Sequence, residues 1–411
     1  MKILLLPAYF YPEQAASSYL GDNIRQAMCE SGAILELYAP MPTRGISKEV
    51  CEEYKKRRME HWHDGKLEIH RFSMYGEGKN PILRALRYVF CWCAQFWKGL
   101  CAKDIDLIYL ASTPPIQGML GGLLKKIKKV PFVYNLQDIF PDSLAGTGLA
   151  KKGGLLWKIG RVIENFTYRN ADKIIVISED FKRNIMAKGV PEEKIVVVYN
   201  WVDEEAVKHV AREDNKLFDT YGLDRSKFYI TYSGNIGLTQ NMDMLLEVAK
   251  ELETAEPEIQ FVLIGEGAYK KRVQEIIAEK NICNVTLLPF QPNEDISHVF
   301  SLGDVGLVIS KPGVGENSVP SKTWSILSAS RPVLANFDEN ELKTIVAENQ
   351  CGIFTKAGDK EDFRQAILGL YHDRARCEQL GRSGREFILK NLTRAVGTQK
   401  YVDVIKSFEK A

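Results

Sequence analysis

The stretch "ENSVPSKTWSILSASRPVLA", residues 316–335, contains a loop, a helix and the start of a strand in quick succession. Its polar residues end near Pro320, and an apolar run typical of a buried helix leads into Arg331-Pro332-Val333. An apolar strand, "VGLVIS" at 305–310, comes before it. A strand, a loop, a helix and a second strand in this order predict a β-α-β unit, with the loop at the ligand-binding end of a parallel sheet.

The same alternation extends along the chain on both sides of this stretch. Strands are predicted at 2–6, 33–37, 67–72, 105–110, 131–136, 173–178 and 194–199, and again at 228–233, 259–265, 285–290, 305–310, 332–337 and 351–355. The polar segment 200–227 between the two series is interpreted as a linker. We therefore predict an α/β protein with two doubly wound, Rossmann-like domains, at 1–203 and 204–392. A final helix at about 393–411 is expected to pack back on the first domain.

Length and composition agree with two ordinary cores, because the 411 residues are 45% hydrophobic and 26% charged. No run of eighteen apolar residues is present, and Met1-Lys2 lead straight into a strand. We expect a cytoplasmic protein without a signal peptide. The eight cysteines have neither CxxC nor zinc spacing and are expected to be free thiols.

Charge is distributed unevenly along the chain. Residues 1–200 hold 29 basic and 21 acidic side chains, a net +8, whereas residues 201–411 hold 26 and 32, a net −6. A basic front half indicates an anionic partner, and nucleic acid is disfavoured because no binding motif accompanies the charge.

Residues 80–100, followed by "LLKKIKK" at 123–129, suggest what that partner is. Aromatic and basic residues alternate there, which suits a helix lying on an anionic membrane. The alternative is that the apolar residues face the core. The residues concerned are Leu83, Leu86, Phe90, Trp92, Phe96 and Trp97, with Arg84, Arg87 and Lys98.

Two glycine-containing turns follow strands of the back half, Gly234-Asn235-Ile236-Gly237 and Gly265-Glu266-Gly267. Glycines at such positions let backbone amides approach an anion. Each alone is more often an ordinary turn, but their placement in one sheet predicts an anion site.

The opening stretch supplies a third turn. With Pro320 as first helical residue, the amides of Ser321, Lys322 and Thr323 would be free to bind a phosphate. Lys322 would add a full charge, and Glu316 would accept hydrogen bonds from sugar hydroxyls. A solvated lysine and a capping serine are the alternative.

Several ordered motifs carry a family resemblance. "YSGNIG", "LIGEG", "GDVGLVIS" and "ENSVPSK" resemble the nucleotide-sugar-binding domain of retaining GT-B glycosyltransferases, in particular the large bacterial family 4. "YNLQDIFPDSL" and "EEKIVVVYNWVD" resemble the front domain of its "QDLWP"/"PSK" subgroup, which takes part in surface-polysaccharide synthesis. The resemblance covers nearly the whole chain and implies two domains facing across a cleft.

The resemblance also implies roles for individual residues. Gly234 and Gly237 would lie against the donor diphosphate, Gly265 and Gly267 would line the nucleoside pocket, and the main chain at Phe290 and Gln291 would read a uridine base. Glu316 would hold the donor sugar, and Ser318, Val319, Pro320, Ser321 and Lys322 would contact phosphates and sugar. Retention would need no general base, because the leaving diphosphate accepts the acceptor's proton.

Three positions depart from the family pattern. The second glutamate of the family is Ser325, an arginine of the glycine loop is Asn235, and a front-domain histidine is Gln137, followed by Asp138. We expect Gln137 and Asp138 to contact the reacting sugar, although Asp138 as a cap for the next segment is equally open.

Acceptor binding is expected in the front domain, from Glu13, Ser17, Ser18 and Thr113, with capping by Ser17 or Ser18 as the alternative. The resemblance implies a polyprenyl-diphosphate-linked saccharide as acceptor and an N-acetylated or 6-deoxy hexosamine as the sugar, for O-antigen, capsule or exopolysaccharide. The enzyme would act at the inner face of the cell membrane. A degenerate, non-catalytic binding subunit and a nucleotide-sugar 2-epimerase remain alternatives.

No metal or other cofactor is expected. Asp104-Ile105-Asp106 matches a D-x-D metal motif but lies at the amino end of "LIYL", away from the ligand-binding edge, and His61-Trp62-His63 lacks further ligands.

Overall fold

The computed structural model describes residues 1–13, 18–76, 81–143, 151, 153–315 and 319–409. The chain forms two compact units, one comprising Met1–Tyr199 and Gly397–Ala411, the other Asn200–Val396. Each unit is built around its own sheet.

The first unit contains an eight-stranded sheet of order β3-β4-β2-β1-β5-β6-β7-β8. All neighbours run parallel except β3 and β4. The central strands are mostly apolar because helices cover both faces. The strands are β1 (Lys2–Leu5), β2 (Ile34–Pro40), β3 (Met59–Trp62), β4 (Leu67–Phe72), β5 (Leu107–Ala111), β6 (Phe132–Leu136), β7 (Lys173–Val176) and β8 (Ile195–Val197).

Six helices connect these strands within the described residues. Among them α4 packs between α3 and α5 and supplies Leu120 and Leu124 to the core. The six are α1 (Ser18–Glu30), α2 (Lys48–Lys56), α3 (Pro81–Cys101), α4 (Gln117–Lys128), α5 (Leu155–Asn170) and α6 (Glu179–Ala187).

The second unit contains a six-stranded parallel sheet of order β11-β10-β9-β12-β13-β14. Its strands are β9 (Phe228–Ser233), β10 (Ile259–Ile264), β11 (Val285–Leu288), β12 (Val305–Ile309), β13 (Val333–Phe337) and β14 (Gly352–Lys356). The order reverses between β9 and β12, and ligands of doubly wound sheets bind at the carboxyl ends of strands at such a point.

The first helix of the second unit is α7 (Lys216–Tyr221), and the last, α15 (Arg394–Lys406), continues into the first unit. The helices are α7, α8 (Met242–Ala255), α9 (Lys270–Glu279), α10 (Ile296–Ser301), α11 (Lys322–Ser328), α12 (Glu341–Glu348), α13 (Lys360–His372), α14 (Arg374–Asn391) and the start of α15.

Helix α15 belongs to the first unit from Gly397 onward. Its Tyr401 is buried, donates a hydrogen bond to Asn135 Oδ1 (3.2 Å) and meets the Tyr109 ring edge-on at 6.4 Å. The helix is therefore fixed to the carboxyl ends of β5 and β6.

The predicted doubly wound α/β class is confirmed for each unit, and every predicted strand is present. Strand β3 was not predicted. It is a charged edge strand that pairs antiparallel with β4, so its sequence lacks an apolar run.

The interpretation of residues 200–227 as a linker is wrong, because this segment is packed into the second unit. Trp201 and Val207 are buried, Val210 N donates to Ser301 Oγ (2.9 Å), and Ser328 Oγ donates to Val207 O (2.6 Å).

The eight cysteines are free thiols, as predicted. Four of them are buried and behave as small apolar core residues.

Candidate active site

The two glycine turns of the second unit lie against each other, backbone on backbone. A Cβ atom on Gly265 would lie 2.0 Å from Gly234 O, and one on Gly267 would lie 2.2 Å from Ile236 O. Gly265 has a φ of 149°, a value that residues with a Cβ atom rarely adopt. Close packing between the turns therefore requires these glycines.

Most amides of these turns already have acceptors within the protein. Gly234 N donates to Ile264 O (3.0 Å), Ile236 N to Glu266 O (2.8 Å) and Gly265 N to Leu288 O (3.2 Å). Gly237 N donates to Gln240 Oε1 (3.0 Å). These four amides join the two turns and the strands beneath them and are therefore not open to an anion, whereas anion binding by the turns stays a prediction.

Lys322, the first residue of α11, lies beside the Gly234 turn. Its Nζ atom is 3.7 Å from the centroid of the Tyr232 ring and 3.0 Å from where a Cβ on Gly234 would lie. Tyr232 is at the end of β9, and α11 follows β12, so the reversal of strand order brings them together. The sheet thus places a lysine ammonium at its ligand-binding end.

Burial lowers the pKa of Lys322 to about 7. The ring face of Tyr232 favours the cation, but the loss of water around the ammonium has the larger effect. No carboxylate belonging to the described part of the chain lies within ion-pair distance of this lysine. Among the described residues the site therefore contains no counterion, and an anionic ligand would supply one.

The start of α11 differs from the sequence prediction. The helix begins at Lys322 rather than Pro320 and has seven residues. Thr323 N donates to Pro320 O (2.9 Å), so this amide is not free for a phosphate. Ser321 is exposed, and Val319, Pro320 and Ser325 are partly buried. The charge of Lys322 is the main contribution of this loop.

Phe290 and Gln291 follow β11, next to the second glycine turn. Gln291 is buried and donates from Nε2 to Tyr221 OH (2.8 Å) and Pro289 O (2.7 Å). These bonds fix the loop while the Phe290 ring remains 67% exposed. An exposed ring at this edge of the sheet is able to stack on a planar base.

Asn235 takes part in the first turn through its backbone. Its carbonyl oxygen accepts a 2.6 Å hydrogen bond from Tyr232 OH. Tyr232 therefore contacts both the turn and Lys322, a role that its sequence position at the end of an apolar strand did not indicate.

In the first unit, Gln137 and Asp138 follow β6. Gln137 Nε2 donates to Asn135 Oδ1 (2.9 Å), and Gln137 N donates to Ser112 Oγ (3.0 Å). Asp138 is exposed and accepts from Ser143 Oγ (3.0 Å), a contact that also fits the capping interpretation.

Glu13 and Thr113 follow β1 and β5, which are neighbours at the strand-order reversal of the first sheet. Glu13 is buried, and its Oε1 accepts from Thr43 N and Arg44 N, both at 2.7 Å. Burial raises the pKa of this carboxyl, while those two amides lower it. Thr113 is exposed, and Ser18 is the first residue of α1.

Three predicted site residues, Ser17, Glu316 and Ser318, lie outside the described residues. Asp106 of the rejected metal motif accepts Lys2 N (2.7 Å) at the amino end of β5. Where side chains are described, no three His, Cys, Asp or Glu residues are grouped as metal ligands. The absence of a metal requirement stays a prediction.

Comparison with known proteins identifies the class as glycosyltransferase. The model for "Glycosyl transferases group 1" matches residues 213–387, and that for "Glycosyl transferase 4-like domain" matches residues 24–201. The chain is 31% identical over 336 residues to the putative colanic acid biosynthesis glycosyl transferase WcaI of Escherichia coli K12, covering 80% of this chain and 81% of WcaI. The protein belongs to the group 1 glycosyltransferases and is a transferase enzyme.

Solved structures show the same fold. Sucrose-phosphate synthase from Thermosynechococcus elongatus has a TM-score of 0.76 at 14% identity, covering 99% of this chain and 98% of its own. Anabaena Alr3699/HepE in complex with UDP has a TM-score of 0.72 at 17% identity, covering 99% of this chain and 100% of its own. Both support the predicted GT-B fold class.

Proposed function

We propose that this enzyme is a retaining glycosyltransferase that moves a sugar from a UDP-sugar to a lipid-linked saccharide during surface-polysaccharide synthesis. The observation that carries the proposal is Lys322, which lies against the Gly234 turn at the strand-order reversal and has no counterion among the described residues. The relative WcaI is named for colanic acid biosynthesis, and HepE has a structure with UDP.

In the proposed reaction, Lys322 neutralises the diphosphate as it leaves. The bond from C1 of the sugar to the diphosphate oxygen breaks, and a bond from the acceptor oxygen to C1 forms on the same face. The acceptor's proton passes to the departing diphosphate, so no protein base is required. A fixed charge at the leaving group stabilises the transition state more than the ground state.

The remaining site residues receive positioning roles in this proposal. Phe290 stacks on the uracil, and Glu316 holds the donor sugar, as the family resemblance implies. Gln137 and Asp138 contact the reacting sugar, whereas Glu13 and Thr113 orient the acceptor hydroxyl. An N-acetylated or 6-deoxy hexosamine as the donor sugar rests on the resemblance only.

A panel of nucleotides tests the donor. UDP at 100 times its Kd is expected to raise the Tm of the wild-type protein by about 5–10 °C, because ligand binding at that excess adds about 2.7 kcal/mol of stability. ADP, GDP and CMP should give smaller shifts. The shifts are measured by thermal denaturation, and donor turnover is measured on the same samples.

Each result of the panel has a defined meaning. UDP binding with turnover supports the proposal, and binding to none of the nucleotides contradicts it. If UDP binds but no acceptor extract supports turnover, the result favours a degenerate binding subunit. The departures from the family pattern at Asn235 and Ser325 would explain that result.

A membrane location of the acceptor agrees with the outer face of α3. Leu83, Leu86 and Val89 are exposed there, and Phe90 and Trp97 are 57% and 67% exposed. The opposite face packs on the core, where Trp92 Nε1 donates to Ile116 O (3.1 Å). The core interpretation therefore applies to one face of this helix, and the exposed apolar face supports the proposed membrane contact.

Arg87 is not part of the exposed face, contrary to the prediction. It is fully buried, and its guanidinium lies 4.5 Å from the centroid of the Tyr9 ring. The basic charge near the surface comes instead from Lys98, Lys126 and Lys129, which are exposed.

Helix α5 adds a second apolar face that the sequence did not predict. Leu155 and Val162 are 78% and 69% exposed, and Leu156 and Ile159 lie between them. Both α3 and α5 pack on α4, whose last turn is lysine-rich. Exposed apolar and basic residues on adjoining helices fit an anionic bilayer surface. Across the described ranges, no helix is long and apolar enough to cross a bilayer.

We expect the double substitution Phe90→Ser and Trp97→Ser to weaken binding to anionic vesicles about 100-fold. Each exposed aromatic ring would contribute about 1.5 kcal/mol when it enters the bilayer interface. Sedimentation with phosphatidylglycerol-containing vesicles measures the effect. Leu389→Ser, which removes an exposed leucine of α14 in the second unit, is the control and should bind normally. Equal binding of wild type and double variant would contradict this proposal.

A further inference from the structure

Tyr232 connects the two elements that form the candidate donor site. It is fully buried near the end of β9, and its hydroxyl donates to Asn235 O (2.6 Å) in the first glycine turn. Its ring lies under Lys322 Nζ at 3.7 Å. One side chain therefore determines both the shape of the turn and the position of the ammonium.

We propose that Tyr232 is the positioning residue for Lys322, and that binding of a nucleoside diphosphate is coupled to uptake of one proton by Lys322 Nζ. The inference rests on the proposed function only in taking the donor diphosphate as the anion. The proton comes from solvent, and no covalent bond changes.

The surroundings of Lys322 explain the coupling. Among the described residues, Tyr232 is the titratable group that faces it from β9, the turn contributes uncharged Gly234, and the adjoining helix residue Thr323 is uncharged too. Glu316, in the loop before α11, lies outside the described residues. Burial lowers the pKa of Lys322 to about 7, so the free protein loses this charge as the pH rises above neutral. A diphosphate beside Nζ favours the charged form and raises the pKa again.

The sign of the pH dependence follows directly. Below pH 7 Lys322 is charged with or without nucleotide, so its contribution to affinity is constant. Above pH 7 the free protein loses the proton while the complex keeps it, so each further pH unit weakens binding by up to tenfold. A lysine with the ordinary pKa of about 10.5 would produce no such slope between pH 7 and 9.

UDP is the probe, because its terminal phosphate is fully ionised above about pH 7 and adds no slope of its own. Calorimetric titration of the full-length protein from pH 7 to 9 is expected to show a fall in affinity of up to about 100-fold. Titrations in buffers with different ionisation enthalpies should show uptake approaching one proton near pH 9. An affinity that does not change between pH 7 and 9 overturns the inference.

Lys322→Arg is the conservative comparison. A guanidinium stays charged throughout this range, so the variant should bind UDP with a flat pH profile and no proton uptake. A slope in Lys322→Arg equal to that of the wild type would assign the proton to another group and overturn the inference.

Substitutions at Tyr232 distinguish the role of its ring from the role of its hydroxyl. Tyr232→Phe keeps the ring under Nζ and should retain the pH slope, whereas Tyr232→Leu opens space for water and should flatten it. Tyr229→Phe is the matched control, because Tyr229 is also buried on β9 but donates to Asp224 O (3.0 Å) rather than contacting Lys322. A purely structural role of Tyr232 would change stability and leave the pH profile unaltered, which would overturn its positioning role.

A measurement without nucleotide distinguishes failure of this inference from failure of the proposed function. The pH dependence of amine labelling at Lys322, followed by mass spectrometry, should have a midpoint near 7 that moves upward in Tyr232→Leu. A midpoint near 10.5, or one unmoved in Tyr232→Leu, overturns the inference whether or not UDP binds. Absence of UDP binding with a midpoint near 7 contradicts the proposed donor instead.

Discussion

Lys322→Ala is expected to lower kcat about 100- to 1000-fold. Removing one preorganised donor from a developing anion raises the barrier by roughly 3–4 kcal/mol, and Lys322 is the cation that the second unit places against the Gly234 turn. Stability should not fall, because the substitution removes a partly buried ammonium that has no counterion among the described residues. Steady-state rates with the donor identified by the nucleotide panel, together with denaturant unfolding, measure both quantities.

Lys250→Ala is the control for this substitution. Lys250 also lies in the second unit, where it pairs with Glu253 on α8 and donates to Asn281 O (2.8 Å). It should leave kcat unchanged. A Lys322→Ala rate within threefold of the wild type would remove this lysine from the mechanism.

Gly265→Ala is expected to destabilise the second unit by about 2–4 kcal/mol and to abolish UDP binding. The new methyl group would lie 2.0 Å from Gly234 O, so the turns after β9 and β10 must separate. The φ of 149° at this position adds backbone strain. The Lys322 site would then lose the turn that it lies against. Urea unfolding and the UDP-induced Tm shift test the two effects separately.

Gly369→Ala provides a matched comparison. Gly369 lies within α13, and its added Cβ would meet no atom within 4 Å. The variant should be about 0.5–1 kcal/mol more stable, because alanine loses less conformational entropy than glycine in a helix. A Gly265→Ala protein as stable as the wild type would contradict the close packing of the two turns.

The fold was predictable because most of its strands are parallel and covered on both faces. Such strands are short continuous apolar runs, which is how β1, β9 and β12 could be recognised. Strand β3 pairs only at an edge and carries no such signal. Trp201 belongs to the second unit through tertiary contacts that a polar local sequence does not reveal.

The site was predictable in outline but not in its hydrogen bonds. The rule that ligands bind at the carboxyl ends of strands was enough to select Gly234 and Lys322. The acceptors of the Gly237 and Thr323 amides depend on how loops fold, so the sequence suggested that these two amides are free although both are hydrogen-bonded within the protein. Burial of Arg87 likewise depends on the Tyr9 ring, which is 78 positions away in the chain.

The attachment of Tyr401 beside Asn135 has a consequence for biosynthesis. During translation, residues 1–199 leave the ribosome long before the segment from Gly397 is made. The site at the ends of β5 and β6 that Tyr401 fills therefore stays empty while the second unit is translated. The amino-terminal half therefore receives its last packed side chains, including Tyr401, only after synthesis of nearly the entire polypeptide. Premature termination before Gly397 would therefore leave an unfilled cavity in the half of the protein that had been made first.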